Sequence, residues 1–231
     1  MKITIVTAVH GREYLWGYFN QAIRYTTHKF ESLGYDVDRV AAVTSDKEQE
    51  YFYNAGWTTI QCSNEWLGAK WNNAIEYAWE DGCDYIFIIG SDDIVSDELI
   101  DLYHPLIQLD EPMFGIEKLY FIQLDKDVIK EFRGYPNHKR MALGAAKMIS
   151  KKALSKVGGR PAKDLIKRGL DTSILVNLRQ HGYNDYIVET NKFLILDMKT
   201  KDNLTRWEDL KGIEYTANYD KLESIFNIKI K

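Results

Sequence analysis

The first half of the chain alternates short apolar runs with stretches in which apolar residues recur at helical spacing. This alternation is typical of βαβ units, in which parallel strands form a sheet that helices cover. The predicted strands are residues 3–9, 40–44, 58–62 and 85–89, with helices between them. The fourth of them is wholly apolar, as expected for a strand covered on both faces. The pattern therefore predicts an α/β fold with a mostly parallel central sheet and helices on both faces.

The second half has a different pattern, in which shorter apolar runs are separated by turn residues. A hairpin is predicted around residues 125–127, and Ser150 is expected to cap a short helix. An amphipathic helix is expected to follow Asp171. Further strands are predicted at residues 143–149, 186–188 and 193–196. We expect residues 1–95 and 96–231 to form two halves of one domain that share one sheet, with a mixed C-terminal half.

The composition is that of a globular protein, since 45% of the 231 residues are hydrophobic and 28% are charged. It excludes an intrinsically disordered or collagen-like chain. Cys62 and Cys83 are too few for a disulfide framework and predict buried thiols in a reducing compartment. No apolar run approaches the ~18 residues of a membrane span, and residues 1–6 predict a strand rather than a signal peptide. We therefore expect a cytoplasmic protein without a transmembrane segment.

Charge is distributed unevenly along the chain. Residues 76–117 contain twelve acidic residues and no Lys or Arg, whereas residues 139–168 contain ten Lys or Arg and the single acid Asp164. An acidic segment favours a bound cation and a basic segment favours an anionic partner. The alternative is that both segments are solvated faces that attract each other in the fold.

Asp92 and Asp93 come directly after the buried strand at 85–89. Ligands of open α/β sheets bind at the carboxyl ends of the strands, which is where these two carboxylates lie. Together with Ser91 they offer hard oxygen ligands to Mg²⁺ or Mn²⁺, which in turn can bridge a diphosphate. The alternative is a plain turn before a helix that begins near Ser96.

Five stretches of sequence resemble the GT-A glycosyltransferases, specifically their family 2-like branch. In chain order they are 3–13 (ITIVTAVHGRE), 64–78 (NEWLGAKWNNAIEYA), 85–94 (YIFIIGSDDI), 144–159 (GAAKMISKKALSKVGG) and 169–172 (GLDT). They are similar, in the same order, to the family's nucleotide-contacting loop, asparagine–glycine segment, metal-binding DXD region, acceptor-side segment and catalytic acidic motif. The resemblance covers most of the chain and implies the GT-A (Rossmann-like) fold.

The resemblance also implies roles for individual residues. Asp171 stands where the family places its catalytic base, and Asp92 and Asp93 stand where it binds Mn²⁺ or Mg²⁺. Asp197 lies where related enzymes can place a third metal ligand, often a histidine. Asp46 lies where the family sets an aspartate against the nucleobase, which favours a UDP-sugar donor. The residues expected to bind the nucleotide-sugar are Ala8, His10, Arg12, Asp46, Lys70, Asn72, Ser91 and Asp92.

Three positions depart from the family's pattern. Gly90 stands where an aspartate is common, Trp71 replaces an arginine, and Leu170 replaces a glutamate. The second departure leaves Lys70 as the nearby cation for a phosphate. Asp46 and Asp171 also have a simpler interpretation, because aspartate at the start of a helix often serves as its N-cap.

The implied function is that of a metal-dependent glycosyltransferase, a hexosyltransferase in particular. It would move a sugar from a nucleotide-diphosphate sugar to an acceptor hydroxyl, with inversion of the anomeric carbon. A nucleotidyltransferase is an alternative, although such enzymes usually carry a glycine-rich phosphate loop and residues 8–12 contain one glycine. A non-catalytic domain that binds sugar nucleotides or a partner is the other alternative.

The acceptor is expected to be a saccharide or an anionic polymer, DNA included, because the basic segment adjoins the acceptor-side stretch. Lys147, Lys151 and Lys152 are the lysines assigned to that surface. Since Ala153 and Leu154 would face the core at helical spacing, we expect these lysines to point outward.

Overall fold

The computed structural model describes residues 1–123, 125–135, 140–200 and 207–230. The helices in these residues are α1 (Glu13–Ser32), α2 (Asp46–Asn54), α3 (Leu67–Glu80), α4 (Asp97–Gln108), α5 (Lys151–Ser155), α6 (Leu170–Gln180) and α7 (Tyr219–Phe226). The strands are β1 (Lys2–Ala8), β2 (Asp36–Val43), β3 (Thr58–Gln61), β4 (Tyr85–Ile88), β5 (Asp93–Val95), β6 (Met113–Gly115), β7 (Leu119–Gln123), β8 (Val128–Phe132), β9 (Lys147–Ser150), β10 (Tyr186–Ile187), β11 (Ile195–Lys199) and β12 (Ile213–Thr216).

The larger sheet has the strand order β10-β6-β9-β4-β1-β2-β3. Strands β4, β1, β2 and β3 are parallel to one another, which confirms the α/β pattern predicted for the first half. Strand β9 runs antiparallel to both β4 and β6, so the sheet as a whole is mixed. Because of that reversal, the amino end of β9 lies beside the carboxyl end of β4.

The strand predicted at 143–149 begins only at Lys147. Residues before it form a turn in which Ala146 adopts a left-handed backbone with a φ of 60°. This conformation interrupts the extended backbone that a strand requires. The turn brings Gly144 and Lys147 together, with the Lys147 amide donating to the Gly144 carbonyl at 3.3 Å.

Strands of both halves share the larger sheet, as predicted, since β6, β9 and β10 join β1–β4 there. The prediction did not include the second sheet, which has the strand order β12-β8-β7-β11-β5. The hairpin expected around residues 125–127 is confirmed as β7 and β8. Strand β5 comes from residues predicted only as a turn, because its three residues are too few for a recognisable period. It pairs antiparallel with β11, which places Asp93 opposite Asp197.

Helix α1 packs between the two sheets. Trp16, Phe19 and Ile23 contribute to the core cluster that includes β1 and β4, while Leu15 and Ala22 contact the cluster built on β7 and β11. The chain passes from the larger sheet to the second sheet between β4, which ends at Ile88, and β5, which begins at Asp93. The segment Gly90–Asp92 therefore lies at the junction of the two sheets.

In the residues described, no helix combines the length and the apolar character that crossing a membrane requires.

Candidate active site

A cleft of about 520 Å³ opens at the carboxyl ends of β1 and β4. Six of the eight residues expected to bind the nucleotide-sugar line it, namely Ala8, His10, Arg12, Lys70, Ser91 and Asp92. This is the edge of an α/β sheet at which ligands bind, because the loops after neighbouring parallel strands meet there. The structure thus gathers most of the predicted donor residues in one cavity, and their binding role stays a prediction.

Three carboxylates lie close together beside the cleft, and one of them, Asp92, lines it. Asp92, Asp93 and Asp197 each place a carboxylate oxygen within 4.8 Å of the other two. The β5–β11 pairing sets Asp93 opposite Asp197, and the Met198 amide donates to the Asp92 carbonyl at 2.8 Å. The backbone of two strands therefore holds a group of acids that are far apart in the sequence.

The electrostatics of the cluster favour a bound cation. Burial, followed by the charges of Asp197 and Asp92, raises the pKa of Asp93 well above its usual value. Burial also raises the pKa of Asp197 to about 6. Its Oδ1 is buried and lacks a hydrogen-bond partner in the described structure. An orphaned carboxylate oxygen beside two other carboxylates fits the oxygen-rich coordination of Mg²⁺ or Mn²⁺.

Gly90 allows the carboxylates to approach. A Cβ at this position would lie 2.6 Å from Asp93 Oδ2 and 2.9 Å from Asp92 Oδ1. The Gly90 amide also donates to Asp93 Oδ2 at 2.9 Å. The aspartate that the family commonly has at this position would displace the two that follow, and here Asp197 on β11 supplies a third carboxylate instead.

Two cations neutralise part of this negative charge. Arg12 donates to Asp92 Oδ2 at 2.6 Å and to Ser91 Oγ at 2.9 Å. Lys199 lies 2.6 Å from Asp197 Oδ2 and 3.9 Å from Asp92 Oδ2. Burial lowers the pKa of both bases, but the neighbouring carboxylates raise it overall, so both stay charged. Since both line the cleft, they can also meet an anionic ligand.

The loop that carries Arg12 is held by Glu48, a residue that the sequence analysis did not select. The Glu48 carboxylate accepts from the amides of Gly11 at 2.7 Å and Thr44 at 2.6 Å. Burial would raise the pKa of Glu48, but these bonds lower it overall. The same residue forms a capping box with Ser45, the N-cap of α2. The pattern Ser-x-x-Glu at 45–48 is the signal that could have identified it.

Lys70 lies at the inner end of the cleft and is almost fully buried. Its ammonium donates to the Val9 carbonyl and, at 3.2 Å, to Asn64 Oδ1. Burial lowers the pKa of Lys70 to about 8. An ammonium has three donors, so Lys70 retains one for a further acceptor.

Asn72 and Asp46, the two remaining donor predictions, do not line the cleft. The Asn72 amide bonds to the backbone of Ala162 at 2.7 and 3.0 Å and to Asp164 Oδ1 at 2.7 Å, which uses both of its N–H groups. Through these hydrogen bonds Asn72 holds residues 162–164 against α3. Asp46 is exposed and accepts from Gln61 at 3.2 Å. The N-cap of α2 is Ser45, so the simpler interpretation of Asp46 as a cap is wrong.

Asp171 lies in the first turn of α6, whose N-cap is Gly169. The interpretation of Asp171 as a helix cap is therefore wrong as well. Its carboxylate packs directly on Gly144, where a Cβ would lie 2.0 Å from Asp171 Oδ1. Tyr135 is close enough that, after burial, the negative charge of Asp171 contributes to raising the pKa of Tyr135.

The acceptor-side lysines require two corrections. Lys147 does not point outward, because it is the first residue of β9 and is fully buried. Lys151 and Lys152 are exposed, but they lie at the opposite edge of the sheet from the cleft, beside Met1 and Asp84. The antiparallel direction of β9 explains the difference, since it carries the chain away from the cleft before α5 begins.

Another basic residue does reach the cleft. Lys167 lines it, with the ammonium 4.9 Å from the centre of the Trp66 ring. Residues 163–168 cross the start of α3, where the amides of Gly68 and Ala69 donate to carbonyls of Ile166 and Asp164. The sequence analysis counted Lys167 in the basic segment without placing it.

Comparison with solved structures identifies the architecture. S. aureus TarS superposes with a TM-score of 0.59 at 13% identity over 86% of this chain and 37% of that chain. A TarS structure in complex with UDP gives 0.56 at 13% identity, over 87% and 61%. A Drosophila β1,4-galactosyltransferase 7 mutant in complex with manganese, UDP-Gal and xylobiose gives 0.52 at 14% identity, over 84% and 67%.

The chain has the GT-A fold. These solved structures belong to GT-A glycosyltransferases, so the predicted fold class is confirmed. The chain spans little more than a third of TarS. No protein-family model matches the sequence, and no curated protein matches it.

Lys199 is a further residue that the sequence analysis missed within this GT-A fold. In a strand, alternate residues share a face, so Asp197 and Lys199 on β11 project to the same side. That period of two was visible at 195–199. What it could not indicate was that this strand pairs with β5.

Replacing Asp197 by asparagine tests the three-carboxylate site. We expect Asp197→Asn to weaken Mn²⁺ binding at least ~10-fold, because even partners that only orient a metal ligand are typically worth 10–100-fold. The unfolding temperature should not fall, since the substitution relieves repulsion with Asp93. Mn²⁺ binding is measured by electron paramagnetic resonance and stability by thermal unfolding. Asp171→Asn is the control, and wild-type Mn²⁺ affinity in Asp197→Asn would contradict the site.

The raised pKa values of Asp93 and Asp197 predict opposite pH trends for stability and metal affinity. The folded chain binds these protons more tightly than the unfolded chain, so their contribution to stability falls as the pH rises from 3.8 to about 6. Mn²⁺ must displace the same protons, so its affinity should be about tenfold weaker at pH 5 than at pH 7. The measurements are Mn²⁺ titrations and metal-free unfolding at both pH values. An affinity independent of pH would count against these ligands.

Proposed function

We propose that this chain is a metal-dependent glycosyltransferase that transfers a sugar from a UDP-sugar to an acceptor hydroxyl with inversion. The observation that carries the proposal is the group of carboxylates from Asp92, Asp93 and Asp197 beside a cleft that also holds buried cations. Negative and positive groups so arranged suit a ligand that is itself a metal-bound diphosphate. A site for a neutral sugar alone would not require these carboxylates and cations.

The donor is assigned mainly to the first half of the chain, residues 1–95, with Asp197 and Lys199 contributed by β11 of the second half. Arg12, Lys70 and Lys199 are positioned to donate to the diphosphate, while Ala8 and His10 lie at the end of β1 beside it. Asp46 lies outside this cleft and pairs with Gln61, so no contact with the uracil is assigned to it. Asp92, Asp93 and Asp197 would hold Mn²⁺ or Mg²⁺. When bound, the metal supplies positive charge that screens the departing diphosphate.

Asp171 is assigned the role of general base in the second half. The acceptor oxygen forms a bond to the anomeric carbon, and the bond from that carbon to the diphosphate breaks. The nucleoside diphosphate leaves with the bonding electron pair, and the hydroxyl proton passes to the Asp171 carboxylate. Attack from the side opposite the leaving group inverts the anomeric carbon.

The acceptor is proposed to carry negative charge and to meet residues 163–168 rather than α5. Lys163, Lys167 and Arg168 are exposed, and Lys167 reaches the cleft beside Trp66. The only acid of that stretch, Asp164, is already paired with Arg160 at 2.8 Å. Asp171 follows on the same piece of chain. A phosphorylated saccharide is the chemistry that this surface would recognise, and nothing in the site supports DNA in particular.

Donor and reaction class are tested together by a screen of UDP-sugars for Mn²⁺-dependent hydrolysis and thermal stabilisation. We expect at least one UDP-sugar to be hydrolysed slowly and UDP to raise the unfolding temperature. Binding without hydrolysis or transfer would favour the non-catalytic alternative. In a parallel assay with UTP and a sugar phosphate in place of the UDP-sugar, release of pyrophosphate would instead favour nucleotidyl transfer.

The base is tested by two substitutions that act differently on one carboxylate. Asp171→Asn removes the proton acceptor, and turnover should fall ~10²-fold or more. Gly144→Ala keeps the Asp171 carboxylate but forces it to move, because the added Cβ would lie 2.0 Å from its Oδ1. This variant should also lower turnover. Gly17→Ala, a helical glycine with no atom within 4 Å of the added Cβ, is the matched control. Turnover is measured with the donor found in the screen. Full activity in Asp171→Asn, with UDP affinity unchanged, would remove Asp171 from the reaction.

The acceptor surface is tested by two double variants with the same change in charge. Lys163→Gln with Arg168→Gln should raise the KM for a sugar phosphate ~3- to 10-fold, the value of two exposed charge contacts. Lys151→Gln with Lys152→Gln, at the opposite edge, should leave it unchanged. The KM for xylobiose, a neutral probe, is measured beside it at low and high salt. Equal effects of the two double variants on the KM for the sugar phosphate would show that residues 163–168 are an ordinary solvated surface.

A further inference from the structure

Lys147 is a buried lysine without a partner. Its relative exposure is 0%, and its ammonium is buried without a hydrogen-bond partner in the described structure. Burying an unpaired ammonium destabilises a fold strongly, which is why natural proteins seldom retain one in a strand. Leucine or methionine would fill the same space at no such cost. The lysine is therefore unexplained by packing.

The turn before Lys147 links it to Asp171. Residues 144–147 form a tight turn in which Ala146 has a φ of 60°, a conformation that costs a non-glycine residue of order 1 kcal/mol or more. The Tyr103 hydroxyl holds this turn by donating to the Ala146 carbonyl at 2.9 Å. At one end of the turn Gly144 lies against the Asp171 carboxylate, and at the other end Lys147 enters the interior.

The charged groups that face Lys147 are Asp171, Asp185 and Arg179. Both oxygens of Asp185 are occupied, one by Arg179 at 3.0 Å and the other by the Ala142 amide at 2.7 Å. Asp171 is thus the carboxylate whose charge Lys147 is left to balance. Among the described residues, Tyr135 is a further titratable group near Asp171.

We propose that Lys147 is a positioning residue for Asp171, which holds the carboxylate ionised and directed toward the acceptor from beneath the turn at Gly144. The inference rests on the proposed function, because it concerns the residue assigned as base. A positive charge nearby favours the ionised form of a carboxylate, which is the form that accepts a proton. Being buried, Lys147 acts through Asp171 and does not touch the acceptor.

The test is Lys147→Met, which shortens the unbranched side chain by one atom and removes its charge. We expect kcat for transfer, or for UDP-sugar hydrolysis with Mn²⁺, to fall ~10-fold or more. The acid limb of the pH profile of kcat should move to higher pH, the direction expected when a carboxylate loses a nearby opposite charge. UDP affinity should not change, because Lys147 does not line the cleft.

Stability should change in the opposite direction from activity. Burial lowers the pKa of Lys147, so its protonated form destabilises the fold at neutral pH. Lys147→Met should therefore raise Tm by about 2 °C or more. The gain should shrink as the pH rises toward 10.5, because the folded wild type loses the proton below that pH and the unfolded chain loses it there.

Lys130→Met is the matched control. Lys130 is also largely buried, but it donates to the Trp207 carbonyl at 2.9 Å and lies 4.5 Å from the centre of that ring. Its loss should lower Tm and leave the pH profile of kcat unmoved. Lys147→Gln, a second neutral variant, repeats the test if the methionine variant folds poorly.

An unmoved pH profile in both Lys147 variants would overturn the inference, provided that Asp171→Asn still abolishes turnover. If Asp171→Asn retains turnover, the proposed base itself is wrong, so the two failures are distinguishable. A fall in Tm together with unchanged kcat in Lys147→Met would assign Lys147 a purely structural role and also overturn the inference.

Discussion

The mutual repulsion of three closely spaced carboxylates is the constraint around which this site is organised. The pairing of β5 with β11 sets Asp93 opposite Asp197, and Gly90 lets Asp92 join them. Negative groups this close are tolerated only where positive charge is close as well. Arg12 and Lys199 supply it from β1's loop and from β11, and both face the cleft. The repulsion destabilises the folded chain. The same carboxylates would attract a cation, and Arg12 and Lys199 would attract an anion that accompanies it.

The second half of the site is organised by a different charge balance. The charged groups that face Lys147 among the described residues are Asp171, Asp185 and Arg179, and Gly144 in the turn before it lies against the Asp171 carboxylate. This charge cluster and the carboxylate cluster around Asp93 lie on different elements and share no residue. The proposed donor and the proposed acceptor would each meet a separate set of charged groups within one GT-A fold.

Local patterns predicted much of this arrangement, and distant strand pairing accounts for what they did not predict. The apolar run before Asp92 and the helical spacing of residues 64–78 identified β4, α3 and the carboxylates correctly. The outward direction of Lys147 and the position of Lys151 were wrong, because both depend on β9 running antiparallel to β4. No period within residues 143–156 records which strand they pair with. Glu48 and Lys199 carried local signals, a capping box and a strand alternation, whose importance only the three-dimensional neighbours reveal.

The β5–β11 pairing also links the site to the order in which the chain can fold. Asp93 and Asp197 are about 100 residues apart, and closing so long a loop is slow compared with forming the neighbouring βαβ units. The loop around Arg12 and Glu48 needs only residues from the first quarter of the chain. A nascent or truncated chain would thus form the loop of Arg12 early, while its third carboxylate would join only after β11 has been added. Completion of the carboxylate group is accordingly a measure of whether the whole chain has reached its native topology.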